Sequence, residues 1–191
     1  ADDYITKPFE SGELIAKVRT LTGGEVPPEP VAREKEESAP DLAWKLWIYT
    51  NFNCNLSCDY CVAESTPRTP RDAIGLDNAC CIFDEAVDLG FKELFFTGGE
   101  PFILDEIYEM LAYASARLKT TVLTNAMLFN GRRLARLLEI ANPNLQVQVS
   151  LDGGRAEHHD AYRGAGSWKK TVEGIRTLQA NGFNVRLSTT E

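Results

Sequence analysis

Two hydrophobic patterns alternate along the chain from residue 44 onward. Short apolar runs typical of buried strands occur at five places: 44–50, 92–97, 119–125, 145–151 and 184–190. Between them, apolar residues recur at helical spacing over four segments: 77–89, 105–118, 131–141 and 168–181. This alternation predicts an α/β fold whose parallel strands are joined by right-handed crossovers.

We expect the segment 44–191 to form a partial TIM-like barrel. Five strands and four helices are fewer than a closed barrel needs, and the last residues fall within the fifth strand. The pattern therefore predicts a barrel that is truncated at its C-terminal end. Ser167 is expected to cap the fourth helix, and Gly182 is expected to end it.

The first 43 residues follow a different pattern. A short strand is predicted at 3–6, the Lys7-Pro8 pair breaks it, and apolar residues then return at helical spacing up to Leu21. One strand and one helix bury too little apolar surface to form a core alone. Residues 23–43 are rich in glycine, proline and charge, so we interpret them as a flexible linker.

The segment 1–22 resembles the C-terminal end of a response-regulator receiver domain. The resemblance rests on ADDYITKPFE at 1–10 and ELIAKVR at 13–19. In that family, the lysine that matches Lys7 contacts the phosphoryl group of a phosphorylated aspartate, which here would lie upstream. The resemblance implies regulation by phosphorelay. The alternative is an ordinary surface helix after a turn.

Composition and charge argue against some classes of function. The chain has 191 residues, of which 43% are hydrophobic and 25% charged, and its net charge is −8. It lacks the basic patch that nucleic-acid binding requires, and it has no apolar run near the roughly 18 residues of a membrane helix. We therefore expect no nucleic-acid partner and no membrane segment. No secretion signal is visible, which favours a reducing cytoplasm, where crowded cysteines bind metal more often than they form disulfides.

Three of the five cysteines follow the first strand with the spacing C-x3-C-x2-C, as Cys54, Cys58 and Cys61. Three thiolates in one loop can hold three corners of an iron–sulfur cubane and leave one iron open to another ligand. Structural zinc usually takes four ligands, and Cys80 and Cys81 are the only other thiols. We expect at least one of these two to be a buried hydrophobe. The cysteines alone leave both metals open.

Together with a second motif, this cysteine spacing resembles the signature of the radical S-adenosylmethionine (radical SAM) superfamily. The residue before the third cysteine is aromatic in that family, as Tyr60 is here, and lies against the adenine. The turn Gly98-Gly99-Glu100 follows the second strand; in the family it binds the methionine amino group. The resemblance implies a (β/α)6 barrel, a [4Fe–4S] cluster and S-adenosylmethionine as cofactors.

Two further segments extend the resemblance. Ser150 and Asp152 lie at the end of the fourth strand, where similar enzymes contact the ribose and methionyl parts of the cofactor. Arg163, in an Arg-Gly segment, matches an arginine that pairs with the cofactor carboxylate, for which a guanidinium is well suited. Asn125 is expected either to line the same site or to serve a turn or helix cap. His158 and His159 are expected in a polar loop.

The resemblance implies an enzyme that cleaves S-adenosylmethionine reductively to a 5′-deoxyadenosyl radical, which then abstracts a hydrogen atom. It is nearest to the branch that modifies peptides and proteins, which carries SPASM extensions and includes sulfatase-maturing enzymes. Relatives in cofactor biosynthesis share parts of the pattern, so the resemblance leaves the substrate class open. The implied partners are an electron donor such as a flavodoxin or ferredoxin and a peptide or protein substrate. The alternatives are a phosphorelay-regulated signalling or binding module on a radical SAM-like scaffold, and a zinc or redox protein.

Overall fold

The computed structural model describes residues 45–140 and 142–190. The predicted receiver-like segment 1–22 and linker 23–43 lie outside these residues. The elements of the described part are, in chain order, β1 (Lys45–Tyr49), α1 (Leu76–Asp88), β2 (Glu93–Thr97), a 3-10 helix (Pro101–Ile103), α2 (Ile107–Ser115), β3 (Lys119–Thr124), α3 (Gly131–Glu139), β4 (Leu145–Ser150), α4 (Ala156–Arg163), α5 (Ser167–Ala180) and β5 (Val185–Ser188). Within the described ranges, no helix is both long and apolar enough to cross a membrane.

The five strands form one parallel sheet in the order β1-β2-β3-β4-β5. Each strand therefore pairs with the next strand in the sequence, and at least one helix lies between them in the chain. Parallel pairing brings the carboxyl ends of all five strands to the same edge, which is where α/β folds place their sites. The predicted α/β class is confirmed. Truncation of the barrel stays a prediction.

The core lies between one face of the sheet and the helices. Phe83 of α1 is fully buried and packs against Phe96 of β2, with ring centroids 5.3 Å apart. The opposite face of the sheet is more open, since Trp47 is 50% exposed and stacks on Phe95 at 4.6 Å. Alternate residues of the strands therefore point to two different faces of the sheet. Helices cover one face, and the other borders the candidate site described below.

Helix α4 corrects the expectation that both histidines lie in a polar loop. His158 is exposed on this helix, whereas His159 is completely buried. The segment has no apolar stripe, so its hydrophobic pattern could not reveal a helix. Buried polar contacts made by His159 and Arg163, described below, attach it to the rest of the fold.

The start of α5 corrects the predicted cap. Ser167 is the first residue of the helix, and the capping group is the Asp160 carboxylate. This carboxylate accepts hydrogen bonds from the Gly166 N–H at 2.7 Å, the Ser167 hydroxyl at 3.1 Å and the Trp168 N–H at 2.7 Å. Gly182 follows the last turn with a φ of 84°, as predicted for a residue that ends a helix.

The expectation for Cys80 and Cys81 is also wrong. Both thiols are free, Cys80 is only half-buried, and Cys81 is exposed. The buried residues of α1 are instead Ala79, Phe83 and Ala86.

Substitution of Phe83 by alanine tests the packing of α1 against the sheet. We expect Phe83→Ala to lower the free energy of unfolding by about 3–5 kcal/mol, because it leaves a cavity between α1 and the sheet. Val87 lies on the same helix and is 41% exposed, so Val87→Ala should cost less than about 1 kcal/mol. Urea denaturation measures both values. Equal losses would show that α1 does not pack as described.

Candidate active site

The loop after β1 is held against the turn after β2 by direct contact between backbones. A Cβ atom on Gly98 would lie 2.2 Å from the Asn51 carbonyl oxygen, and one on Gly99 would lie 2.0 Å from that of Asn53. The Gly99 N–H donates to the Asn51 carbonyl at 2.8 Å. The sequence predicted that these glycines allow close approach to a ligand. In the structure, they allow the close approach of the chain segment that leads into Cys54.

Further hydrogen bonds shape the cysteine loop, residues 54–61. The Cys54 N–H donates to the Thr66 carbonyl at 3.2 Å. Two sulfurs then receive backbone N–H groups: Leu56 donates to Cys54 Sγ, and Ser65 donates to Cys61 Sγ, both at 3.4 Å. The loop therefore already presents hydrogen-bond donors to two of its three sulfurs.

The cysteine loop borders a cavity of about 430 Å³ at the carboxyl edge of the sheet. We call this the cofactor cavity. Nine of the ten predicted site residues line it: Cys54, Cys58, Tyr60, Cys61, Gly98, Gly99, Glu100, Ser150 and Arg163. Asn125 lines it as well, and its Oδ1 accepts a hydrogen bond from the Met127 N–H at 3.0 Å, so both of its predicted roles are confirmed. Residues from five separate segments of the sequence thus meet at one place.

Glu100 joins the ends of β2 and β3. Its carboxylate is 1% exposed and accepts hydrogen bonds from the Thr124 hydroxyl at 2.7 Å, the Asn125 N–H at 2.8 Å and the Phe102 N–H at 3.2 Å. Burial raises the pKa of Glu100 to about 7, although these hydrogen bonds act in the opposite direction. Glu100 is therefore a buried carboxyl group that no basic side chain neutralises in the part of the chain that the structure describes.

Asp152 is the tenth predicted residue, and it lies behind the cavity wall. Its carboxylate is 5% exposed and accepts hydrogen bonds from Arg163 Nε at 2.6 Å, from the Thr190 N–H at 3.2 Å and from the Tyr60 hydroxyl. Burial alone would raise the pKa of Asp152, but the hydrogen bonds from Arg163 and Tyr60 hold this pKa below its usual value. Asp152 thereby orients the two side chains that line the cavity.

His159 supports Asp152 from the side away from the cavity. The Asp152 N–H donates to His159 Nδ1 at 3.1 Å, so the ring carries its proton on Nε2 when neutral. Burial, followed by the nearby Arg163 charge, lowers the pKa of His159. The buried Nε2 has no hydrogen-bond partner among the described residues. No sequence pattern indicates this role, because His159 pairs with Asp152, seven positions earlier, across the turn before α4.

The thiols differ in their surroundings. Burial raises the pKa of Cys54 to about 12. Burial also raises the pKa of Cys58, and the Arg163 guanidinium partly offsets this effect. In the described part of the chain, no three side chains from His, Cys, Asp and Glu converge as ligands of a single ion would. A cubane does not require three side chains to converge on one ion, because each thiolate binds a separate iron.

Ser65 supports the fit of this site to a cluster, and sequence reasoning did not find it. Its side chain is 3% exposed and lines the cofactor cavity, and its hydroxyl has no hydrogen-bond partner among the described residues. An unpaired buried hydroxyl next to Cys61 is suited to donate to a sulfur of a bound group. The turn that places it contains Glu64 at a φ of 48°, a conformation that no motif at this position signals.

Comparisons with known proteins decide the family. Residues 48–190 match the model of the radical SAM superfamily. The chain belongs to the radical SAM superfamily. Members of this superfamily bind a [4Fe–4S] cluster and S-adenosylmethionine, so the zinc alternative loses its support.

Curated relatives include an AdoMet-dependent heme synthase and a mycofactocin maturase. The chain is 30% identical over 160 residues to an AdoMet-dependent heme synthase of Nitratidesulfovibrio vulgaris, covering 83% of this chain and 43% of the relative. It is 35% identical over 145 residues to the mycofactocin maturase MftC of Mycobacterium ulcerans, covering 74% of this chain and 37% of the relative. The chain thus spans less than half the length of these relatives.

A solved structure agrees with the fold. Streptococcus suis SuiB bound to S-adenosylmethionine matches with a TM-score of 0.66 and 22% identity, covering 77% of this chain and 34% of SuiB. At this identity, the likeness concerns the fold alone. It confirms the α/β radical SAM fold of the described residues.

Substitution of Gly99 tests the backbone contact that holds the cysteine loop. We expect Gly99→Ala to lower the melting temperature and to abolish cluster loading, because its Cβ would overlap the Asn53 carbonyl. Gly154→Ala is the matched control, since a Cβ there meets nothing within 4 Å. Thermal unfolding and iron content after reconstitution check both variants. If Gly99→Ala loads iron as well as Gly154→Ala does, the contact does not position the loop.

Glu100 predicts a specific pH dependence of stability. Its folded-state pKa of about 7 lies above the ordinary value of 4.5, so its stabilising contribution is full below pH 4.5 and is lost as the pH rises through 7. Glu100→Gln removes this titration. Between pH 5 and pH 8, we therefore expect the unfolding free energy of the unmodified chain to fall by up to about 3 kcal/mol relative to the variant. Parallel pH profiles would contradict the burial of an unneutralised carboxyl group.

Proposed function

We propose that this chain forms the cofactor-binding core of a radical SAM enzyme. In this proposal, Cys54, Cys58 and Cys61 hold a [4Fe–4S] cluster, and S-adenosylmethionine binds beside it in the cofactor cavity. The observation that carries the proposal is the convergence of these three free thiols with Glu100 and Arg163 on one cavity of about 430 Å³. When bound, the cluster and S-adenosylmethionine supply a 5′-deoxyadenosyl radical that can remove a hydrogen atom from a substrate.

Arg163 is proposed to bind the cofactor carboxylate. Two of its nitrogens, Nε and Nη2, donate to Asp152, so the bonds to the protein do not use Nη1. The guanidinium is also 5.3 Å from the centroid of the Tyr60 ring, and these two groups share one wall of the cavity. Tyr60 is proposed to lie against the adenine. Asp152, which the sequence placed near the cofactor, acts in this proposal by orienting both side chains.

Glu100 is proposed to bind the methionine amino group. Its Oε1 accepts two hydrogen bonds and its Oε2 accepts one, which leaves an acceptor position on Oε2. An ammonium placed there would provide the positive charge that the buried carboxylate lacks. Ser150, at the end of β4, is proposed to contact the ribose, and its position on the cavity wall supports this role.

The proposed substrate is a peptide or protein. MftC is a maturase, the Bacillus subtilis AlbA is a bacteriocin biosynthesis protein at 33% identity, and SuiB has been solved bound to its precursor peptide. Tyr49 lines the cavity and is 48% exposed, so an aromatic surface borders the cofactor cavity on the open face of the sheet. A flavodoxin or ferredoxin is proposed as the electron donor. The proposal of regulation by phosphorelay rests on residues 1–22 alone.

Anaerobic reconstitution tests the proposed function. We expect about four irons and four sulfides per chain, and release of 5′-deoxyadenosine when a reductant and S-adenosylmethionine are added. Cys58→Ser should lose both signals, whereas Cys81→Ser, which changes an exposed thiol on α1, should retain them. Zinc without sulfide in the unmodified chain would overturn the proposal. Equal losses in both variants would overturn the assignment of the cysteines.

A further inference from the structure

Cys54 is reached from two separate cavities. One is the cofactor cavity, and the other has a volume of about 300 Å³ and lies between the cysteine loop and the start of α3. Among the described residues, Cys54 alone lines both. The second cavity is also lined by Asn55, Arg71 and Arg133. Cys54, a proposed cluster ligand, therefore also borders a second cavity that S-adenosylmethionine, bound in the cofactor cavity, would not fill.

The second cavity is basic, although the chain as a whole carries a net charge of −8. Arg71 and Arg133 line it, and Arg132 adjoins Arg133 at the first turn of α3. All three side chains are exposed, and no ion pair involves them within the described ranges. The N-terminus of α3, which has no acidic residue in its first turn, adds to the positive potential. We call Arg71, Arg132 and Arg133 the arginine surface.

Within the described ranges, no acidic side chain forms an ion pair with the arginine surface, although Asp72 follows Arg71 in the sequence. Asp105 and Glu109 face the same side of α3, but both pair with Arg136, at 3.8 Å and 2.6 Å. Arg133 donates from Nε to the Phe102 carbonyl at 3.3 Å, a bond that fixes the side chain without neutralising it. The charge of Arg136 is therefore paired, whereas the arginine surface remains available to a negatively charged partner.

We propose that the arginine surface is the docking site of an acidic electron-donor protein. This proposal rests on the proposed function and adds a location to it. The donor would pass one electron to the oxidised cluster by way of the Cys54 side, so that the donor is oxidised by one electron and the cluster is reduced by one. The positive charge of the arginine surface favours an acidic partner. The second cavity also reaches Cys54, a proposed cluster ligand, which favours a redox partner.

An acidic peptide substrate is the other partner that this charge could attract. A substrate must place its reacting C–H bond in the cofactor cavity, where the radical forms. Arg71 and Arg133 of the arginine surface line the second cavity, and Cys54 alone among the described residues lines both cavities. The geometry therefore favours the electron donor over the substrate.

Charge reversal on the reconstituted chain tests the proposal. The variant Arg71→Glu/Arg132→Glu changes two exposed residues, and the control Lys170→Glu/Arg176→Glu makes the same charge change on α5. The rate of cluster reduction is measured with reduced flavodoxin and, separately, with photoreduced deazaflavin as a small reductant. At low salt, we expect the arginine variant to lose tenfold or more of the flavodoxin rate, and we expect high salt to reduce the difference. The deazaflavin rate and the control variant should change less than twofold.

Three results would overturn the proposal. A flavodoxin rate unchanged in the arginine variant, with deazaflavin active, would reject the docking site and leave the proposed function intact. Weaker binding of a glutamate-rich peptide with an unchanged flavodoxin rate would assign the surface to an acidic peptide. A chain that neither loads a cluster nor cleaves S-adenosylmethionine with either reductant would reject both proposals. Arg71→Gln/Arg132→Gln should give a smaller loss of the flavodoxin rate, and matched thermal unfolding curves exclude misfolding as the cause.

Discussion

The candidate site depends on the contact between two backbones at the carboxyl edge of the sheet. Gly98 and Gly99 lie so close to Asn51 and Asn53 that a side chain has no space at either position. This contact joins the turn after β2 to the segment before Cys54. Because β1 and β2 are hydrogen-bonded neighbours, the sheet fixes the distance between the two loops, and the glycines bring them together. A motif that follows one strand thus sets the position of the cysteines that follow another.

A second set of contacts holds the opposite wall of the cavity. The Asp59 N–H donates to the Tyr162 carbonyl at 3.0 Å, so the cysteine loop is bonded to the last turn of α4. Next to this bond, Asp152 accepts from Tyr60 and Arg163. The turn after β2 therefore fixes the segment that leads into the cysteine loop, and α4 holds the loop at Asp59. Such support by surrounding residues is what keeps a binding site in a fixed geometry.

The sequence predicted the elements whose signals are local. The apolar stripes found α1, α2, α3 and α5 to within a few residues, and the motifs named nine of the residues that line the cofactor cavity. It failed where a polar residue acts across the fold. Asp160 caps α5 from the preceding helix, and neither its spacing nor its type distinguishes it from a surface charge. The burial of His159 is likewise set by packing between segments, which hydrophobic periodicity does not report.

Glu100 and Asp152 show how one fold gives two buried carboxyl groups opposite properties. Asp152 has the Arg163 guanidinium as a partner, and its pKa lies below the usual value. Glu100 receives hydrogen bonds from neutral donors only, and its pKa is raised to about 7. A cationic ligand therefore gains more from Glu100 than from Asp152, because only Glu100 lacks a positive neighbour. Binding of an ammonium at Glu100 would favour the ionised carboxylate and release a proton from the fraction that is protonated. The charge balance of the site thus favours Glu100 as the group that receives the amino end of the cofactor, with Asp152 retained as a support for Arg163.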